Sequence, residues 1–576
     1  MKYLLKYLKR YTKESILAPL FKMLEAFFDL FVPIVVAHMI NVGIQEKNTG
    51  YIIGCCLLLA ALAIIGLLCS FVAQYFAAKA ATGTATRMRH ELFAHIQSLG
   101  SSEIDTIGTS TLITRMTSDI NQVQNGLNLF LRLFLRSPFI VFGAMVMAFT
   151  INVKVALIFV VTIPVLALIV FGIMRWTSPR YKNIQSKLDG VMKVTRENLS
   201  GVRVVRAFGR EAAETDRFHS ANDQLVDTQI RTGHVSALMN PLTYVVVNLG
   251  IVAIIYAGAN AVDGGILLSG NIVALVNYMS QILVELVKLA NLIVSLSRAN
   301  ASLSRVENVL DTKPAMAFSG NGKGIAASDE AVRFDHVSLT YAGAGEESLT
   351  DVSFCAMKGQ TIGVIGGTGS GKSSVVSLIP RFYDATAGKV SIMGMPITEW
   401  EKETLRGSVA TVMQRAQLFK GTIRSNMLWG NENATDDDIW QALRTAQAEE
   451  FVRSKPGQLD EPIEQGGRNL SGGQKQRLTI ARALVQKPDI LILDDSASAL
   501  DFATDAALRK ALRKLDNRTT VFIVSQRTSS LQHADQILVM EDGRLADCGK
   551  HDELLERCAI YREIYESQFQ KEGEQA

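Results

Sequence analysis

Six long apolar stretches constrain this chain more than any other feature of its sequence. They lie near residues 16–40, 51–78, 130–151, 155–176, 237–258 and 271–296. Each is long enough to cross a bilayer core of about 30 Å as a helix of about 20 residues. The second stretch, YIIGCCLLLAALAIIGLLCSFVAQ, contains no charged residue. One such run could be a buried core helix, but six of them predict a membrane domain of six helices.

The connections between the stretches alternate in length and charge. Short loops follow stretches one, three and five, whereas long charged segments follow stretches two and four. The long connection at 177–236 carries ten lysines and arginines, while the short loops carry only Lys47 and Lys154. Because basic loops stay on the cytoplasmic side, both termini are expected to be cytoplasmic. The basic head lacks a cleavage site and the outer loops lack a glycosylation sequon, so we expect a multi-pass protein of the bacterial inner (cytoplasmic) membrane.

Charge and composition exclude some classes of protein and divide the chain. The 59 basic and 55 acidic residues give a net charge of +4, too near balance for a nucleic-acid partner. Residues 311–330 contain Pro, Gly and Ser without periodicity, which is typical of a linker. Short β-rich runs then alternate with helical patterns, which predicts a parallel α/β domain. The expected domains are 1–312, with six spans, a linker at 313–330, and 331–576.

A glycine-rich loop in the last domain predicts a phosphate-binding site. The segment GVIGGTGSGKSS fits a strand, the loop G-x-x-x-x-G-K-S/T and the start of a helix. Backbone N–H groups of such a loop converge on phosphates, its lysine adds a positive charge and its hydroxyl binds Mg²⁺. The expected ATP-binding residues are Gly366, Gly367, Thr368, Gly369, Ser370, Gly371, Lys372, Ser373 and Ser374. The fold class is therefore an all-α six-helix transmembrane domain followed by an α/β P-loop nucleotide-binding domain, with ATP and Mg²⁺ as cofactors.

Two further segments support a nucleotide site. The run DILILDDS predicts a buried strand that ends in Asp494, a carboxylate placed to bind Mg²⁺ together with Ser373. The segment NLSGGQKQRLTIARAL predicts a helix whose N-terminus is suited to an anion. The residues at that N-terminus are Ser471, Gly472, Gly473 and Gln474. An ordinary strand and an ordinary capped helix are the alternatives.

With LSGGQ in this position, the chain resembles the ATP-binding cassette (ABC) family over nearly its whole length. Six spans and one cassette resemble a half-transporter of the multidrug-exporter type. The resemblance implies that Tyr341 stacks on adenine, that Gln414 is the Q-loop glutamine at the Mg²⁺ ion, and that Asp501 belongs to the D-loop. It also implies a head-to-tail pair of cassettes, with each ATP between the Walker A loop of one chain and the signature helix of the other. For Tyr341, a strand core residue is the alternative.

Two charged segments resemble the intracellular loops of such exporters. They are SSEIDTIGTSTLITRMTSDI (101–120) and ENLSGVRVVRAFGRE (197–211). The resemblance implies short coupling helices that dock on the cassettes, the second of them on the cassette of the partner. Plain solvated helices are the alternative.

Two positions of the expected catalytic centre depart from the family pattern. Asp495 stands where hydrolysing cassettes have Glu, and Gln526 stands where they have a switch histidine. Asp is one methylene shorter, and a misplacement of about 1 Å can cost on the order of 10²-fold in rate. Glutamine carries no charge and cannot shuttle a proton. With its intact signature, the chain resembles the degenerate half of a heterodimeric exporter, which implies a second half-transporter subunit; neutral drift with Asp495 still acting as base is the alternative.

Charged residues inside the predicted spans are candidates for a cargo cavity. A charge at the bilayer centre costs about 2.5–3.5 kcal/mol on insertion scales, so such residues are functional candidates. Lys22 can pair with Glu25 one turn away, and Glu285 with Lys288. The candidates for the cavity are Glu25, Asp29, Glu285 and Lys288. A polar wall for a cationic or amphipathic cargo and an internal salt bridge that orients helices remain alternatives.

The expected function is ATP-driven export of hydrophobic or amphipathic, drug-like compounds, with hydrolysis mainly at the composite site shared with the partner. Membrane lipid and a small amphipathic cargo are the other expected partners. An ATP-gated regulatory or channel subunit, and a lipid or peptide exporter that acts as a homodimer, are the alternatives.

Overall fold

The computed structural model describes residues 2–316, 318, 328–515 and 519–573. Most of the expected linker at 313–330 lies outside the described residues. By packing, the chain divides into two units, one of Met1–Gln97 with Ser110–Thr312, the other of Ser98–Thr109 with Lys313–Ala576. The domain limits expected from the sequence included 98–109 in the first domain, whereas this stretch packs with the second unit.

Helices build the first unit. In chain order the helices of this half are α1 Lys2–Leu8, α2 Thr12–His38, α3 Thr49–Ser98, α4 Ser101–Ile107, α5 Thr109–Thr114, α6 Ile120–Leu133, α7 Arg136–Ile151, α8 Val153–Ser200, α9 Val202–Ala207, α10 Glu211–Ala237, α11 Met239–Asp263 and α12 Ser269–Asp311. Of these, α4 packs with the second unit. A 3₁₀ turn at Lys9–Tyr11 joins α1 to α2, and π-helical turns at Met39–Ile44 and Arg115–Asp119 extend α2 and α5.

The six predicted spans are confirmed. Among the described residues, six stretches of helix are long and apolar enough to cross a membrane: Tyr3–Ile44, Thr49–Ser98, Thr109–Ile151, Val153–Ser200, Glu211–Asp263 and Ser269–Asp311. They are longer than the apolar runs because the charged segments continue as helix. The 48 residues of the fourth stretch would extend about 72 Å at 1.5 Å per residue, more than twice the thickness of a bilayer core.

Small side chains let the helices of the first unit approach closely. Its main core lies between α2, α7, α8, α11 and α12, and many of its buried residues are alanines, such as Ala26, Ala144 and Ala274. Gly270 of α12 sits against α2, where an added Cβ would lie 2.3 Å from the carbonyl oxygen of Ala37. Lipid tails are as apolar as leucine, so helices in a membrane associate through such close packing rather than through hydrophobic burial.

The second unit combines strands and short helices. The strands are β1 Glu330–Leu339, β2 Leu349–Met357, β3 Thr361–Gly366, β4 Ala387–Ile392, β5 Met395–Pro396, β6 Val409–Val412, β7 Gly421–Thr422, β8 Pro462–Ile463, β9 Ile490–Asp494, β10 Thr520–Val524, β11 Gln536–Glu541 and β12 Arg544–Gly549. The helices are α13 Lys372–Leu378, α14 Lys402–Ser408, α15 Ile423–Met427, α16 Asp436–Thr445, α17 Glu449–Arg453, α18 Gly472–Val485, α19 Phe502–Leu512, α20 His551–Arg557 and α21 Ala559–Gly573.

A six-stranded sheet forms the centre of the second unit. Its strand order is β12-β11-β3-β10-β9-β6, and every pair from β11 to β6 is parallel. The apolar runs of β3 and β9 are buried almost throughout, as expected for parallel strands covered on both faces. The expectation of an α/β domain with a parallel sheet is confirmed for this part of the unit.

A second sheet is antiparallel, which the sequence did not predict. Its order is β2-β1-β4-β5, and β1 pairs with both β2 and β4. Its inner residues, including Phe334 and Phe354, join the core around α13, where their rings stack with centroids 4.5 Å apart. Strand direction follows from how the connections fold back, so alternation of β-rich and helical patterns could not distinguish this sheet from the parallel one.

Candidate functional site

Glycines shape the loop between β3 and α13. At Gly366, with φ of 154°, an added Cβ would lie 2.1 Å from the carbonyl oxygen of Met540. At Gly371, with φ of 93°, it would lie 2.8 Å from a methyl carbon of Leu349. The loop therefore runs close to neighbouring backbone in a conformation that side chains would obstruct. Its tip at Gly367, Thr368 and Gly369 is exposed, which leaves the backbone N–H groups accessible to phosphate oxygens.

Lys372 places a buried ammonium group inside this loop. Its Nζ donates to the carbonyl oxygens of Gly366 at 3.0 Å and Gly367 at 2.5 Å. Burial lowers the pKa of Lys372, although the carboxylates of Asp495 and Asp494 act in the opposite direction. Its third partner is the Ser370 hydroxyl oxygen at 3.4 Å, so all its partners are neutral. A buried cation with only neutral partners gains when an anion comes within reach, so the lysine suits a phosphate.

Ser373 and Asp494 meet at the end of β9. The Ser373 hydroxyl donates to Oδ1 of Asp494 at 3.0 Å. Burial raises the pKa of Asp494, and the nearby Asp495 carboxylate adds to that effect, while Ser373 and Lys372 oppose it. A hydroxyl and a carboxylate are oxygen donors of the kind that Mg²⁺ prefers, and a bound cation would relieve the crowding of negative charge. The donor set therefore fits Mg²⁺.

The two residues that depart from the ABC pattern follow neighbouring strands of the sheet. Val524 of β10 pairs with Asp494 of β9 and with Val364 of β3. The carboxyl ends of the three strands thus meet at one edge, the usual position of a ligand site in a parallel sheet. Asp495 comes directly after β9, and Gln526 comes two residues after β10.

Asp495 has an uncommon backbone conformation for a residue other than glycine. Its φ is 45°, which Asp tolerates better than most residues, and its N–H donates to the carbonyl oxygen of Val524 at 3.1 Å. Gln414, which follows β6, donates from Nε2 to Oδ2 of Asp495 at 3.3 Å. The structure therefore brings together four of the predicted site residues: Ser373, Gln414, Asp494 and Asp495. The backbone carbonyl of Gln526 accepts a hydrogen bond from the Gln568 side chain at 2.7 Å.

Tyr341 lies beside the start of α13. Its hydroxyl donates to Oγ of Ser374 at 3.0 Å, and its half-buried ring packs against the core of the two sheets. The rings of Tyr341 and Tyr383 form a T-shaped pair, with centroids 4.9 Å apart and planes at 88°. Tyr341 therefore packs against the core and lies next to the phosphate-binding loop, and its stacking on adenine stays a prediction.

The signature segment lies in a different part of the unit. Ser471 caps α18: its hydroxyl accepts from the N–H of Gln474 at 3.3 Å, and the Gln474 side chain accepts from the N–H of Ser471. Helix α18 packs with α15 and α16, in an apolar cluster separate from the one around α13. Ser471 and Gly472 are exposed. Gly473 is half-buried, and a Cβ added to it would lie 3.2 Å from the carbonyl oxygen of Ala499.

Asp501 caps the next helix, α19. Its carboxylate accepts from the N–H of Thr504 at 2.9 Å and from the Thr504 hydroxyl at 2.8 Å. These hydrogen bonds, the backbone one first, lower the pKa of Asp501. The D-loop aspartate thus has a structural role as a cap within its own chain.

A network of charges joins three helices of the first unit. Lys22 and Glu25 pair at 2.6 Å within α2, and Lys288 and Glu285 at 2.9 Å within α12. Arg136 of α7 connects them: its guanidinium lies 2.7 Å from Glu285, 3.0 Å from Asp29 and 3.7 Å from Glu25. Sequence analysis missed Arg136, although a charged residue inside an apolar run was a signal that could have identified it.

Comparison with known proteins places the chain in a family. The profile of the ABC transporter transmembrane region matches residues 15–286, and the ABC transporter profile matches residues 349–498. An uncharacterized ABC transporter ATP-binding protein of Bacillus subtilis, YfiB, is 35% identical over 99% of both chains. The fatty acid ABC transporter ATP-binding/permease protein of Mycobacterium bovis is 32% identical over 84% of this chain and 76% of its own length.

The chain therefore belongs to the ABC transporter family, with a multi-pass transmembrane domain and an ATP-binding domain. A solved structure of a bacterial Atm1-family ABC exporter with ATP bound has the same fold, with a TM-score of 0.79 over 98% of both chains and 24% identity. From here on, the second unit without residues 98–109 is called the cassette.

Proposed function

We propose that the chain is one half of a heterodimeric ABC exporter that uses ATP and Mg²⁺ to move an amphipathic compound out of the cytosol. The observation that carries this proposal is an otherwise complete nucleotide site whose two catalytic positions hold Asp495 and Gln526. The loop cradle, the buried Lys372 and the Ser373–Asp494 pair are those of a site that binds MgATP.

The geometry of Asp495 supports weak hydrolysis at this site. Its short side chain leaves the backbone at the end of β9 and is engaged by Gln414 at 3.3 Å. A general base must come within about 2.6–3.2 Å of the proton that it accepts, and a glutamate would extend the reach of the carboxylate by one methylene. Gln526 adds no charge and no proton acceptor of useful basicity there.

The intact signature segment gives the chain a second role. Ser471 and Gly472 are exposed at the N-terminus of α18, where the free N–H groups and the helix dipole favour an anion. In the proposed heterodimer this surface completes the ATP site of the partner, which would carry the glutamate and the histidine. ATP at Lys372 and Ser373 then remains bound through several cycles, and hydrolysis at the other composite site resets the transporter.

The charge network of the first unit supports an amphipathic cargo. Among the six residues Lys22, Glu25, Asp29, Arg136, Glu285 and Lys288, three positive and three negative charges balance. The side chains of Asp29 and Lys288 are 42% and 43% exposed, whereas the others are 5–13% exposed. We therefore assign the buried members to orientation of the helices, and Asp29 and Lys288 to contact with a polar group of the cargo. The M. bovis relative, named for fatty acids, is consistent with an amphipathic compound.

The inner membrane of a bacterium and cytoplasmic termini are part of the same proposal. A cassette that uses ATP must face the cytosol, and the basic long connections favour that side. A regulatory or channel subunit would bind ATP in the same way without cargo. Stimulation of the ATPase by cargo in the assembled complex distinguishes the exporter from that alternative.

The decisive experiment compares the ATPase rate of the chain alone in lipid nanodiscs with that of the double variant Asp495→Glu/Gln526→His. The unmodified chain should bind ATP and turn over near background. The double variant restores both catalytic positions beside an intact signature and should turn over on the order of 10²-fold faster. Adding Asp494→Asn to the double variant is the control, because loss of the metal ligand should return the rate to background.

Brisk turnover of the unmodified chain would refute the asymmetric site and indicate a homodimer in which Asp495 and Gln526 suffice. In the assembled complex, Asp495→Ala should change turnover little and Ser471→Ala should reduce it strongly. The opposite ranking would also contradict the proposal.

A further inference from the structure

Helix α21 places a glutamine against the segment that follows β10. Tyr561, Ile564 and Gln568 lie at positions i, i+3 and i+7 of this helix, so they share one face. Tyr561 is buried in an apolar cluster of the cassette together with Leu531, and Ile564 packs against the same cluster. The apolar part of the face therefore anchors the helix, and Gln568 continues that face toward residues 526–530, which we call the switch segment.

Both polar atoms of the Gln568 amide bond to the switch segment. Its Oε1 accepts from the N–H of Thr528 at 2.9 Å and from the Thr528 hydroxyl at 2.9 Å. Its Nε2 donates to the carbonyl oxygen of Gln526 at 2.7 Å. A side-chain amide both donates and accepts, so a single glutamine can hold a backbone N–H and a backbone carbonyl together. Because Thr528 is fully buried, its N–H and hydroxyl need an acceptor, and Gln568 provides it.

The far end of the switch segment is held by another helix. Arg509 of α19 donates to the carbonyl oxygen of Ser529 at 2.6 Å, and the hydroxyl of Ser530 donates to Asp505 at 3.3 Å. Asp505 and Arg509 also pair with each other at 3.0 Å. Helix α19 thus fixes residues 529 and 530, while α21 fixes residues 526 and 528, the part closer to the end of β10.

The residue that Gln568 holds by its carbonyl leaves the sheet at the edge of the nucleotide site. Strand β10 lies between β3, which leads into the phosphate-binding loop, and β9, which ends in Asp494. Just after β10, the N–H of Ser525 donates to the carbonyl oxygen of Val364 on β3 at 3.1 Å. Gln526 is the next residue and is exposed. The direction of the backbone at Gln526 therefore decides where its side-chain amide is presented.

We propose that Gln568 is a positioning residue for Gln526: by holding the backbone at 526 and 528, it presents the Gln526 amide to the terminal phosphate of bound ATP. A neutral amide can donate to a phosphate oxygen and so help to retain the nucleotide, without supplying a base for hydrolysis. Helix α21 thereby contributes to the retention of ATP at this site. This inference rests on the proposed function, which puts ATP at Lys372 and treats 495 and 526 as the positions beside its terminal phosphate.

A purely structural role of Gln568 makes a different prediction. If the glutamine only stabilises the packing of α21, its loss affects the binding of ATP and ADP alike. If it positions Gln526, its loss weakens the binding of ATP, which has the terminal phosphate, and leaves ADP binding unchanged. Positioning acts only through the Gln526 amide, so loss of Gln568 should add nothing once that amide has been removed.

The experiment measures the Kd of MgATP and of MgADP for the full chain in nanodiscs, by displacement of a fluorescent nucleotide. Gln526→Ala should weaken ATP binding about tenfold relative to ADP, as expected for one hydrogen bond to a charged group. Gln568→Met keeps an unbranched side chain without the amide and should weaken ATP binding by about three- to tenfold relative to ADP. The double variant Gln526→Ala/Gln568→Met should match Gln526→Ala alone.

Gln486→Met is the matched control. The Gln486 amide also holds backbone, since its Nε2 donates to the carbonyl oxygens of Arg406 at 2.6 Å and Gly407 at 2.8 Å. These partners belong to α14 and not to the switch segment. Gln486→Met should therefore keep the Kd of both nucleotides within about twofold of the unmodified chain.

Hydrogen exchange gives a second readout that needs no nucleotide. Gln568→Met removes the acceptor of the Thr528 N–H, so the amides at 526–529 should exchange on the order of tenfold faster than in the unmodified chain. Gln486→Met should leave their exchange unchanged. Equal exchange in Gln568→Met and the unmodified chain would overturn the inference, because this side chain would then not hold the switch segment.

The inference is also overturned if Gln568→Met weakens ATP and ADP binding equally, or if its effect on ATP adds in full to that of Gln526→Ala. Normal ATP binding with an unchanged preference for ATP over ADP in Gln568→Met refutes the inference alone. If the unmodified chain binds neither nucleotide, the proposed function fails and the inference fails with it.

Discussion

Arg136 provides the sharpest stability prediction, because one side chain holds carboxylates from two other helices. Its guanidinium contacts Glu285 of α12 at 2.7 Å and Asp29 of α2 at 3.0 Å. Replacing it with methionine, which is unbranched and has no charge, leaves the six-residue network with a net charge of −1. The change should therefore destabilise the packing of α2, α7 and α12.

The magnitude follows from how deeply each partner is buried. Removal of one partner from a buried ion pair costs about 3–5 kcal/mol, since the remaining charge is left uncompensated. The Glu285 side chain is 5% exposed but keeps Lys288 at 2.9 Å and Ser137 at 2.8 Å, and Asp29 is 42% exposed and can be hydrated. We therefore expect the lower end of that range, about 3 kcal/mol, for Arg136→Met.

Lys288→Met is the matched control. The Lys288 side chain contacts the same carboxylate, but it is 43% exposed, so its loss should cost at most about 1 kcal/mol. The midpoint of thermal unfolding in detergent should fall about three times as far for Arg136→Met as for Lys288→Met. Adding Glu285→Gln to Arg136→Met should recover part of the loss, because it removes an uncompensated buried charge.

Equal shifts for Arg136→Met and Lys288→Met would refute the argument, as would a double variant less stable than Arg136→Met alone. Either result would mean that Glu285 is hydrated or paired differently in the folded protein and that Arg136 does not orient the helices.

Two further predictions concern the nucleotide site. Gly366→Ala should lower the unfolding midpoint and abolish ATP binding, because its Cβ would lie 2.1 Å from the backbone oxygen of Met540. Gly367→Ala is the control and should leave the midpoint nearly unchanged, because a Cβ there would meet no atom within 4 Å. Equal shifts of the midpoint would contradict the close approach of the loop to Met540. Burial raises the pKa of Asp494 above its ordinary value of 3.8. At a pH between the pKa of the unfolded chain and that of the folded protein, the folded protein holds a proton that the unfolded chain has lost. Stability therefore falls as pH rises through this interval. Asp494→Asn should therefore raise the midpoint of the nucleotide-free chain at pH 7, and the gain should vanish below about pH 4 in a pH series of melting curves; a gain independent of pH would contradict this origin.

Much of the fold could be predicted because its signals are local. The length of an apolar run shows a membrane helix directly, and the phosphate-binding loop is formed by consecutive residues from Gly366 to Ser374. Likewise, Asp494 could be placed at the end of a buried strand, and the structure has that strand at Ile490–Asp494. The antiparallel sheet could not be predicted, because pairing of β1 with β4 joins residues 49 to 60 positions apart and leaves no periodic signal of its own.

The residues of the candidate site likewise divide into those that local motifs predicted and those whose contacts depend on the tertiary structure. Lys372, Ser373 and Asp494 were identified from motifs, and so were Asp495 and Gln526 as departures from them. The sequence could not show that Gln414 contacts Asp495, since that contact depends on the register of β6 beside β9. The sequence also could not show that the Asp501 carboxylate accepts a hydrogen bond from the N–H of Thr504, since that bond depends on where α19 begins.

Composition and motif spacing alone were enough to establish six spans and a cassette and to predict two altered catalytic positions, because each depends on residues that are close together in the chain. Only the tertiary structure revealed Arg136 between Asp29 and Glu285, and Gln568 bonded to Gln526 and Thr528. The partners in these contacts are separated by 107 and 149 residues in the first case and by 42 and 40 in the second. No local pattern encodes such pairs, because they form only when the packing of whole helices and sheets brings distant side chains within hydrogen-bonding or ring-contact distance.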